Sequence, residues 1–262
     1  MPGKNRGHSP PWHHLLWFIS PLLTREIFLS YLSQTPILAI HLMHQLLKRP
    51  WLPYVFPFAL FLLMTGLSRY FPAWTHLIYI SKTIIVGALL WAWRHEYTDD
   101  ISPKLLFSQC LAAIIAGLLV LAIWTVPEPY LPQFGENMGF NPYAFGWSQT
   151  AIYVLIAVRL IGAAVVVPVM EELFWRSFLL RYLINPDFRT VSLGAFSWFS
   201  FVGVAVMFGL EHHRVIVGII AGVIYNLLLI RQKKLRGPIL AHSVTNLGLG
   251  IYVLLTANWM FW

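Results

Sequence analysis

The chain has 262 residues, of which 58% are hydrophobic and only 11% are charged, against roughly 25% charged residues in an ordinary soluble domain. So few polar groups cannot cover a globule in water, which excludes a soluble protein and indicates one that lipid largely surrounds. The formal charge of +8 comes from cations scattered at the ends of apolar segments. That distribution is typical of a membrane topology signal, so we expect no nucleic-acid partner.

The first 50 residues are predicted to form an N-terminal extension. They lack the form of a signal peptide, because the basic start is followed by HSPPWHH and not by a clean apolar core. The stretch 27–47 is apolar but carries Gln34, Pro36, His41 and His44. An extra span, an interfacial helix and an extension without a role all remain open for it.

Residues 51–262 are predicted to be one multi-spanning membrane domain. Its apolar runs approach the roughly 20 residues that a helix needs to cross a bilayer, and they lie at 52–71, 76–93, 105–125, 150–183, 193–211, 215–230 and 238–257. The fold class is therefore all-α, a polytopic helical bundle with about seven or eight transmembrane helices. The single cysteine, Cys110, allows no intrachain disulfide and no cysteine-based metal site.

Lysine and arginine in the links between these runs predict the orientation. If the runs alternate, the basic links fall on one side, which is then cytoplasmic, and the link 126–149 without lysine or arginine falls on the other. The cluster RQKKLR at 231–236 is best interpreted as a cytoplasmic loop, although it could also touch anionic lipid heads.

Some ionisable residues lie where lipid should exclude them, within or at the ends of predicted spans: Glu171, Glu172, Glu211, His212, His213 and His242. A charged group at bilayer depth costs from about 2.5 kcal/mol upward, so such groups face cavities and have partners. Glu172 and Arg176 are four residues apart on a helix and predict an ion pair. Glu171 points about 100° away, which leaves it free to act on water as a general base.

Two later segments repeat the four-residue spacing. FGLEHH stacks Phe208 over His212, and PILAHSVTNLG places His242 and Asn246 on one helical face. A buried histidine is more often a satisfied core residue, and His242 with Asn246 could be a polar clasp between helices worth about 0.6 kcal/mol. Together with an unpaired glutamate, however, these groups form the inventory of a hydrolytic site, with imidazole and carboxamide available to an oxyanion.

The order of the three segments resembles a known family. EELFWR fits E-E-x-x-x-R, FGLEH fits F-x-x-x-H and HSVTN fits H-x-x-x-N, on successive apolar segments. This arrangement is similar to the CPBP family of intramembrane proteases, which includes type II CAAX prenyl endopeptidases and bacteriocin-processing relatives. The resemblance covers roughly 150–250, the motif core. The approach RQKKLRGPILAH is similar to bacterial CAAX-protease-related members found beside exosortase systems.

The resemblance implies an intramembrane endopeptidase, and members of this family have been described both as metalloproteases and as glutamate-dependent proteases. We expect no cofactor, because a metal-free site leaves Glu171 unligated as a base, whereas a metal site would occupy it. Glu171 is then the base that activates water, His212 holds or polarises that water, and the remaining roles are oxyanion stabilisation by His242 and Asn246 and support by Glu172, Arg176 and Phe208. Zinc stays an alternative, with Glu171, His212 and His242 as ligands and water in the fourth position. The sequence contains no H-E-x-x-H motif.

A shared site requires His212 and His242 to lie at a similar depth in the membrane. If 193–211 and 215–230 both cross the membrane, His212 and His242 lie near opposite faces. Because 215–230 is only about 24 Å long at 1.5 Å per residue, we expect this hairpin to turn inside the protein, with 211–214 lining a hydrated pocket.

Other functions remain as alternatives. Intramembrane Glu and His chains also mark transporters and proton relays, but the chain shows no inverted repeat. A catalytically silent scaffold or immunity protein is the third possibility. The expected partners are the lipid bilayer and a membrane-anchored protein or peptide substrate, and the expected location is a bacterial inner membrane.

Overall fold

The structure is a computed structural model of the whole chain, and it describes residue 45 and residues 48–127, 132–134 and 139–262. The chain divides into two compact units, Met1–Leu52 and Pro53–Trp262. The stretch 27–47, which the sequence leaves open as a further span, lies outside the described residues except for residue 45. The rest of this section concerns the second unit.

Across the described residues the chain forms helices and no strand. The main helices are α1 (Leu52–Tyr70), α2 (Thr75–Ala92), α3 (Phe107–Thr125), α4 (Gln149–Tyr182), α5 (Trp198–Leu210), α6 (Val215–Gln232) and α7 (Arg236–Thr256). A four-residue helix covers Thr98–Ile101. Short 3-10 turns occupy Pro72–Trp74, Arg94–Tyr97, Pro142–Phe145, Phe188–Thr190 and Trp259–Phe261.

Six of these helices are long and apolar enough to cross a membrane, and α5 is an apolar helix of shorter length. The predicted all-α membrane bundle is therefore confirmed. The length of one predicted span is wrong. The run 193–211 yields only the 13-residue α5, about 20 Å long, whereas α6 has 18 residues and reaches about 27 Å. The short arm of this hairpin is thus α5 and not, as predicted, α6.

Small residues let α5 and α6 approach closely. A Cβ built on Gly218 would lie 2.8 Å from the Cα of Gly209, and one built on Gly222 would lie 3.0 Å from the Cα of Ala205. Such four-residue spacing of small residues is the usual way in which membrane helices pack, because lipid provides no hydrophobic drive between them. The close approach fixes the turn 211–214 beyond the end of α5.

Helix α7 packs against α3 through a hydrogen bond between side chain and backbone. The Thr245 hydroxyl donates to the carbonyl of Gly117 at 2.8 Å, and a Cβ on Gly117 would collide with the carbonyl of Ala241. Glycine on α3 therefore allows α7 to come close enough for this bond. The contact holds the segment of α7 that carries His242 and Asn246.

A buried carboxylate anchors the end of α4. Asp100 accepts from the Tyr54 hydroxyl at 2.7 Å, from the Ser177 hydroxyl at 2.7 Å and from the Arg181 guanidinium at 3.0 Å. Three donors satisfy one charge that would otherwise be costly to bury. The network was not predicted, because its members are up to 81 residues apart in the sequence.

Candidate active site

Helix α4 carries both glutamates and is wider than an α-helix on each side of them. The stretches Gly162–Val166 and Leu173–Leu179 are π-helical and flank the α-helical segment Val167–Glu172. Proline inside a helix removes one backbone donor and crowds the preceding turn, which a wider turn relieves, and Pro168 follows the first π stretch. Single-turn π stretches of this kind are frequent at functional sites.

This local geometry leaves one carbonyl of α4 without a helical donor. The amide of Val167 donates to the carbonyl of Gly162 and so bypasses Ala163, and Pro168 has no amide hydrogen. The side-chain amide of Asn246 on α7 donates to the Ala163 carbonyl at 2.9 Å. Asn246 therefore replaces a missing backbone bond of α4 and keeps a second amide hydrogen for another acceptor.

Glu172 is the centre of a buried polar cluster. Its Oε1 accepts from the Arg176 guanidinium at 3.1 Å, so the predicted ion pair is present, and it also contacts His242 Nδ1 at 2.9 Å. Arg176 donates further to the Asn226 side chain at 3.2 Å and lies 4.3 Å from the ring of Phe208. Because a carboxylate accepts, Nδ1 of His242 carries the hydrogen and Nε2 is the nitrogen left for other partners.

Glu171 is buried like its neighbour, with 4% of its surface exposed, but it is not paired in the same way. Its Oε2 lies 4.0 Å from His242 Nε2 and has no hydrogen-bond partner among the described residues. A buried polar atom without a partner is uncommon in native structures and calls for a ligand or water. The two glutamates thus have different surroundings, as their 100° separation predicts.

His212 lies in the turn between α5 and α6, outside the membrane-spanning helices. Its Nδ1 donates to the carbonyl of Phe208 at 2.7 Å, and its ring lies 4.9 Å from that of Phe208 and 5.3 Å from that of Trp124. Burial lowers the pKa of His212 to about 4. The imidazole is therefore neutral near pH 7, with Nε2 as its acceptor nitrogen.

The side chains assigned to catalysis lie around one cavity. It has a volume of about 210 Å³, and Glu171, His212, His242 and Asn246 all line it. We call it the central cavity. Its further lining includes Phe208, Tyr225 and Thr245. The expectation that an acid, two imidazoles and an amide gather from distant segments is thus met in position, although their roles remain predictions.

The short helix α5 explains why His212 and His242 line the same cavity. Since α5 is only about 20 Å long, the turn after it does not reach as far as the end of a full span would. The turn residues Glu211, His212, His213 and Arg214 also line a second cavity of about 360 Å³. Glu211 accepts from the indole of Trp175 at 3.2 Å.

Sequence reasoning missed several residues of this site. Tyr225 stacks on His242 with ring centroids 5.2 Å apart, and its hydroxyl bonds to Thr245 at 2.8 Å. Asn226 binds Arg176, and Arg159 lines the central cavity. The signal for Asn226 and Arg159 was visible, because each is a polar residue inside an apolar run. Tyr225 and Thr245 carry no such signal.

The zinc alternative requires three protein ligands around one ion. Among the residues that the structure describes, no three His, Cys, Asp or Glu side chains are grouped so as to hold a metal. One of the three supposed ligands, His242, already has its Nδ1 on Glu172 and offers only Nε2.

Comparison with known proteins gives one match. The family model described as type II CAAX prenyl endopeptidase Rce1-like matches residues 142–248. No curated protein and no solved structure matches the chain. The matched segment runs from the 3-10 turn before α4 into α7, so it contains all three motifs and every side chain assigned to the site. Residues 142–248 therefore constitute a domain of the type II CAAX prenyl endopeptidase Rce1-like family.

Proposed function

We propose that the protein is an intramembrane endopeptidase that hydrolyses a peptide bond of a membrane-associated protein or peptide, with Glu171 as general base. The family implies protease activity in general. The observation that supports the specific assignment is the convergence of Glu171, His212, His242 and Asn246 on the central cavity. A cavity of about 210 Å³ accommodates a water and part of an extended peptide.

The reaction begins with a water held between Glu171 and the two imidazoles. Glu171 takes one proton of that water while the oxygen attacks the carbonyl carbon of the scissile bond, which leaves a negative charge on the former carbonyl oxygen. The free amide hydrogen of Asn246, together with His242 when its Nε2 is protonated, stabilises this oxyanion. Glu171 then returns the proton to the leaving amine as the C–N bond breaks.

The buried pair of Glu172 and Arg176 orients the imidazole ring of His242. Glu172 fixes the ring through Nδ1, and Arg176 neutralises Glu172, so His242 presents Nε2 towards Glu171 at 4.0 Å. This orientation leaves Nε2 of His242 facing the place where the water and the oxyanion are held.

The experiment compares membranes from cells that carry the intact gene, a Glu171→Gln variant or no gene. We expect at least one membrane protein to lose a fragment only with the intact gene, and the purified protein in lipid nanodiscs to cleave the corresponding peptide. Glu171→Gln and His212→Ala should reduce kcat by at least about a hundredfold, as for general base catalysis. Cleavage that persists in folded Glu171→Gln protein would overturn the assignment, and transport without cleavage would favour the transporter alternative.

The metal question has its own test. The proposed steps use the side chains alone, so prolonged dialysis against a chelator should leave cleavage unchanged. Loss of activity on chelation, with recovery on adding zinc, would instead assign Glu171, His212 and His242 to a metal.

A further inference from the structure

A further cavity lies beside the basic link 94–104, on the side of the bundle that the sequence predicts to be cytoplasmic. Its volume is about 540 Å³, within the range of sites for small molecules. Its lining is partly polar and partly apolar, and it includes Arg94, Ser102, Arg236, Leu90 and Val169. We call it the interfacial cavity. None of the residues assigned to catalysis lines it.

Three parts of the fold form the interfacial cavity. Arg94 lies in the 3-10 turn after α2, Arg236 begins α7, and Val169 belongs to α4. The guanidinium of Arg236 donates to the carbonyl of Ile101, which lies 135 positions away in the chain. This bond keeps the last cation of the cluster RQKKLR against the link that carries Arg94.

The two arginines of the cavity have backbone carbonyls as partners and no carboxylate. Arg94 donates to the carbonyl of Trp91 at 2.9 Å and lies 4.4 Å from the ring of that residue. Within the described part of the chain, neither Arg94 nor Arg236 forms an ion pair. Their charges are therefore available to an anion.

The acids of the same link do not neutralise the cavity. Glu96 pairs with Arg189 at 2.8 Å, and Asp100 pairs with Arg181 at 3.0 Å. Asp99 is exposed and is not part of the lining. The interfacial cavity thus keeps an excess of positive charge.

The apolar part of the lining belongs to helices that are long enough to cross the membrane. Leu90 lies on α2 and Val169 on α4. Leu90 precedes Arg94 by about one helical turn, so the apolar surface lies on the membrane side of the cations. Trp91 is 69% exposed at the end of α2, which is where tryptophan marks the boundary between headgroups and acyl chains.

We propose that the interfacial cavity binds an anionic phospholipid, with the phosphate on Arg94 and Arg236 and an acyl chain along Leu90 and Val169. A guanidinium donates two parallel hydrogen bonds to phosphate oxygens. Basic cavities between membrane helices on the cytoplasmic side recognise anionic headgroups. A choline headgroup brings its own cation, which the two arginines repel. The proposal does not depend on the protease assignment, because it uses none of the catalytic side chains.

The test measures lipid binding directly. The full chain in a neutral detergent is titrated with dioleoyl phosphatidylglycerol or with dioleoyl phosphatidylcholine, and native mass spectrometry counts the bound lipids. We expect one phosphatidylglycerol to bind at least about tenfold tighter than phosphatidylcholine, because each arginine near the headgroup adds to the attraction. Equal affinity of folded protein for the two lipids overturns the proposal.

Variants assign the preference to the cavity. Arg94→Gln with Arg236→Gln should bring the ratio of the two affinities close to one. Arg94→Lys with Arg236→Lys should keep most of it, since an ammonium group also binds phosphate as a point charge. Arg94→Gln alone leaves the bond from Arg236 to Ile101 intact, so it should lower the ratio in part and serves if the double variant does not fold.

The matched control removes the same charge elsewhere on the predicted cytoplasmic side. Lys104→Gln with Arg231→Gln alters two exposed cations that do not line the cavity, and this variant should retain the preference. If it lowers the ratio as much as the cavity variant does, the basic surface as a whole attracts the lipid and the proposal fails.

A soluble phosphate offers the same oxygens and is separated by a further arm. Glycerol 3-phosphate and inorganic phosphate carry the charge without an acyl chain. At equal concentration, we expect them to raise the unfolding temperature less than phosphatidylglycerol does, because a ligand stabilises the folded protein according to its affinity. An equal rise that depends on Arg94 and Arg236 assigns the cavity to a soluble phosphate and overturns the lipid proposal.

Discussion

Glu171 and Glu172 are adjacent in the chain and both lie near His242, but they differ in their hydrogen bonds. Oε1 of Glu172 is shared between Arg176 and His242, whereas neither oxygen of Glu171 has such a bond among the described residues, and Oε2 of each carboxylate has no partner there. One residue step on a helix is enough for this difference, because it turns the side chain by about 100°. The separation of an acid that is paired within its helix from one that is not therefore follows from helical geometry, whereas the roles of the two acids stay predictions.

Glu172→Gln tests the supporting role. Removing its charge leaves Arg176 buried without compensation, and we expect the free energy of unfolding to fall by about 3–5 kcal/mol. In protein that still folds, kcat should fall more than KM changes, because His242 loses its orientation. Unfolding in mixed micelles and steady-state kinetics measure the two effects.

The control for Glu172 is Glu96→Gln. Glu96 pairs with Arg189 at 2.8 Å, a shorter distance than in the buried pair, but both side chains are more than 40% exposed. Water screens such a pair, so its loss should cost only about 0–1 kcal/mol. Equal costs for the two variants would contradict the buried-charge explanation.

His212 gives a pH prediction. Its pKa is about 4 in the folded protein and near 6.5 when unfolded, so between these values the unfolded state binds more protons. The contribution of the neutral His212 to the free energy of unfolding is therefore complete above about pH 6.5, and it decreases as the pH falls towards 4. The unfolding temperature should fall with pH over the same range, and His212→Gln should make this pH dependence weaker.

An exposed histidine provides the comparison for this titration. His95 is exposed in the 3-10 turn after α2, and His95→Gln should leave the pH dependence unchanged. If the unfolding temperature depends on pH equally strongly in both variants and in the unaltered protein, burial does not lower the pKa of His212.

At the scale of the element, Pro168 on α4 and Asn246 on α7 both determine how the Ala163 carbonyl is hydrogen-bonded. Pro168 and the π turn before it leave the Ala163 carbonyl without a helical donor, and Asn246 supplies one. A proline inside a membrane helix is tolerated when a neighbouring helix satisfies the freed group. This dependence couples the position of α7 to the shape of α4.

A double-mutant cycle measures the coupling. Asn246→Ala alone should cost about 1–3 kcal/mol, the penalty for an unsatisfied buried carbonyl. In a Pro168→Ala background the restored amide can bind that carbonyl, so the cost should shrink by roughly 1 kcal/mol or more. Pro57→Ala in α1 is the control, since Pro57 also lies inside a helix but far along the chain, and its effect should add independently.

At the scale of the molecule, Asp100 connects parts of the chain that hold no motif to the helix that holds the glutamates. It binds Tyr54 of α1 and both Ser177 and Arg181 of α4. We expect Asp100→Asn to lower the free energy of unfolding by about 3–5 kcal/mol, because Arg181 then loses its charge partner. The neighbouring Asp99 is exposed, so Asp99→Asn should change stability by less than about 0.5 kcal/mol.

The sequence by itself determined the fold class and most helix ends. Apolar runs of membrane length are local, and six of the predicted spans end within about two residues of the observed helices, inside the usual error for boundaries. It also determined the ion pair of Glu172 and Arg176, which one helix contains. These features depend only on spacing along the chain.

Tertiary structure decided whatever depends on two helices at once. The bond from Glu172 to His242 joins residues 70 positions apart, and the Asp100 network reaches across 81. The shortness of α5 places His212 beside His242 at one cavity, although the apolar run that contains α5 had predicted a full span. Apolar composition determines that a segment enters the bilayer, but only packing determines how deep its polar end lies and which partner it meets there.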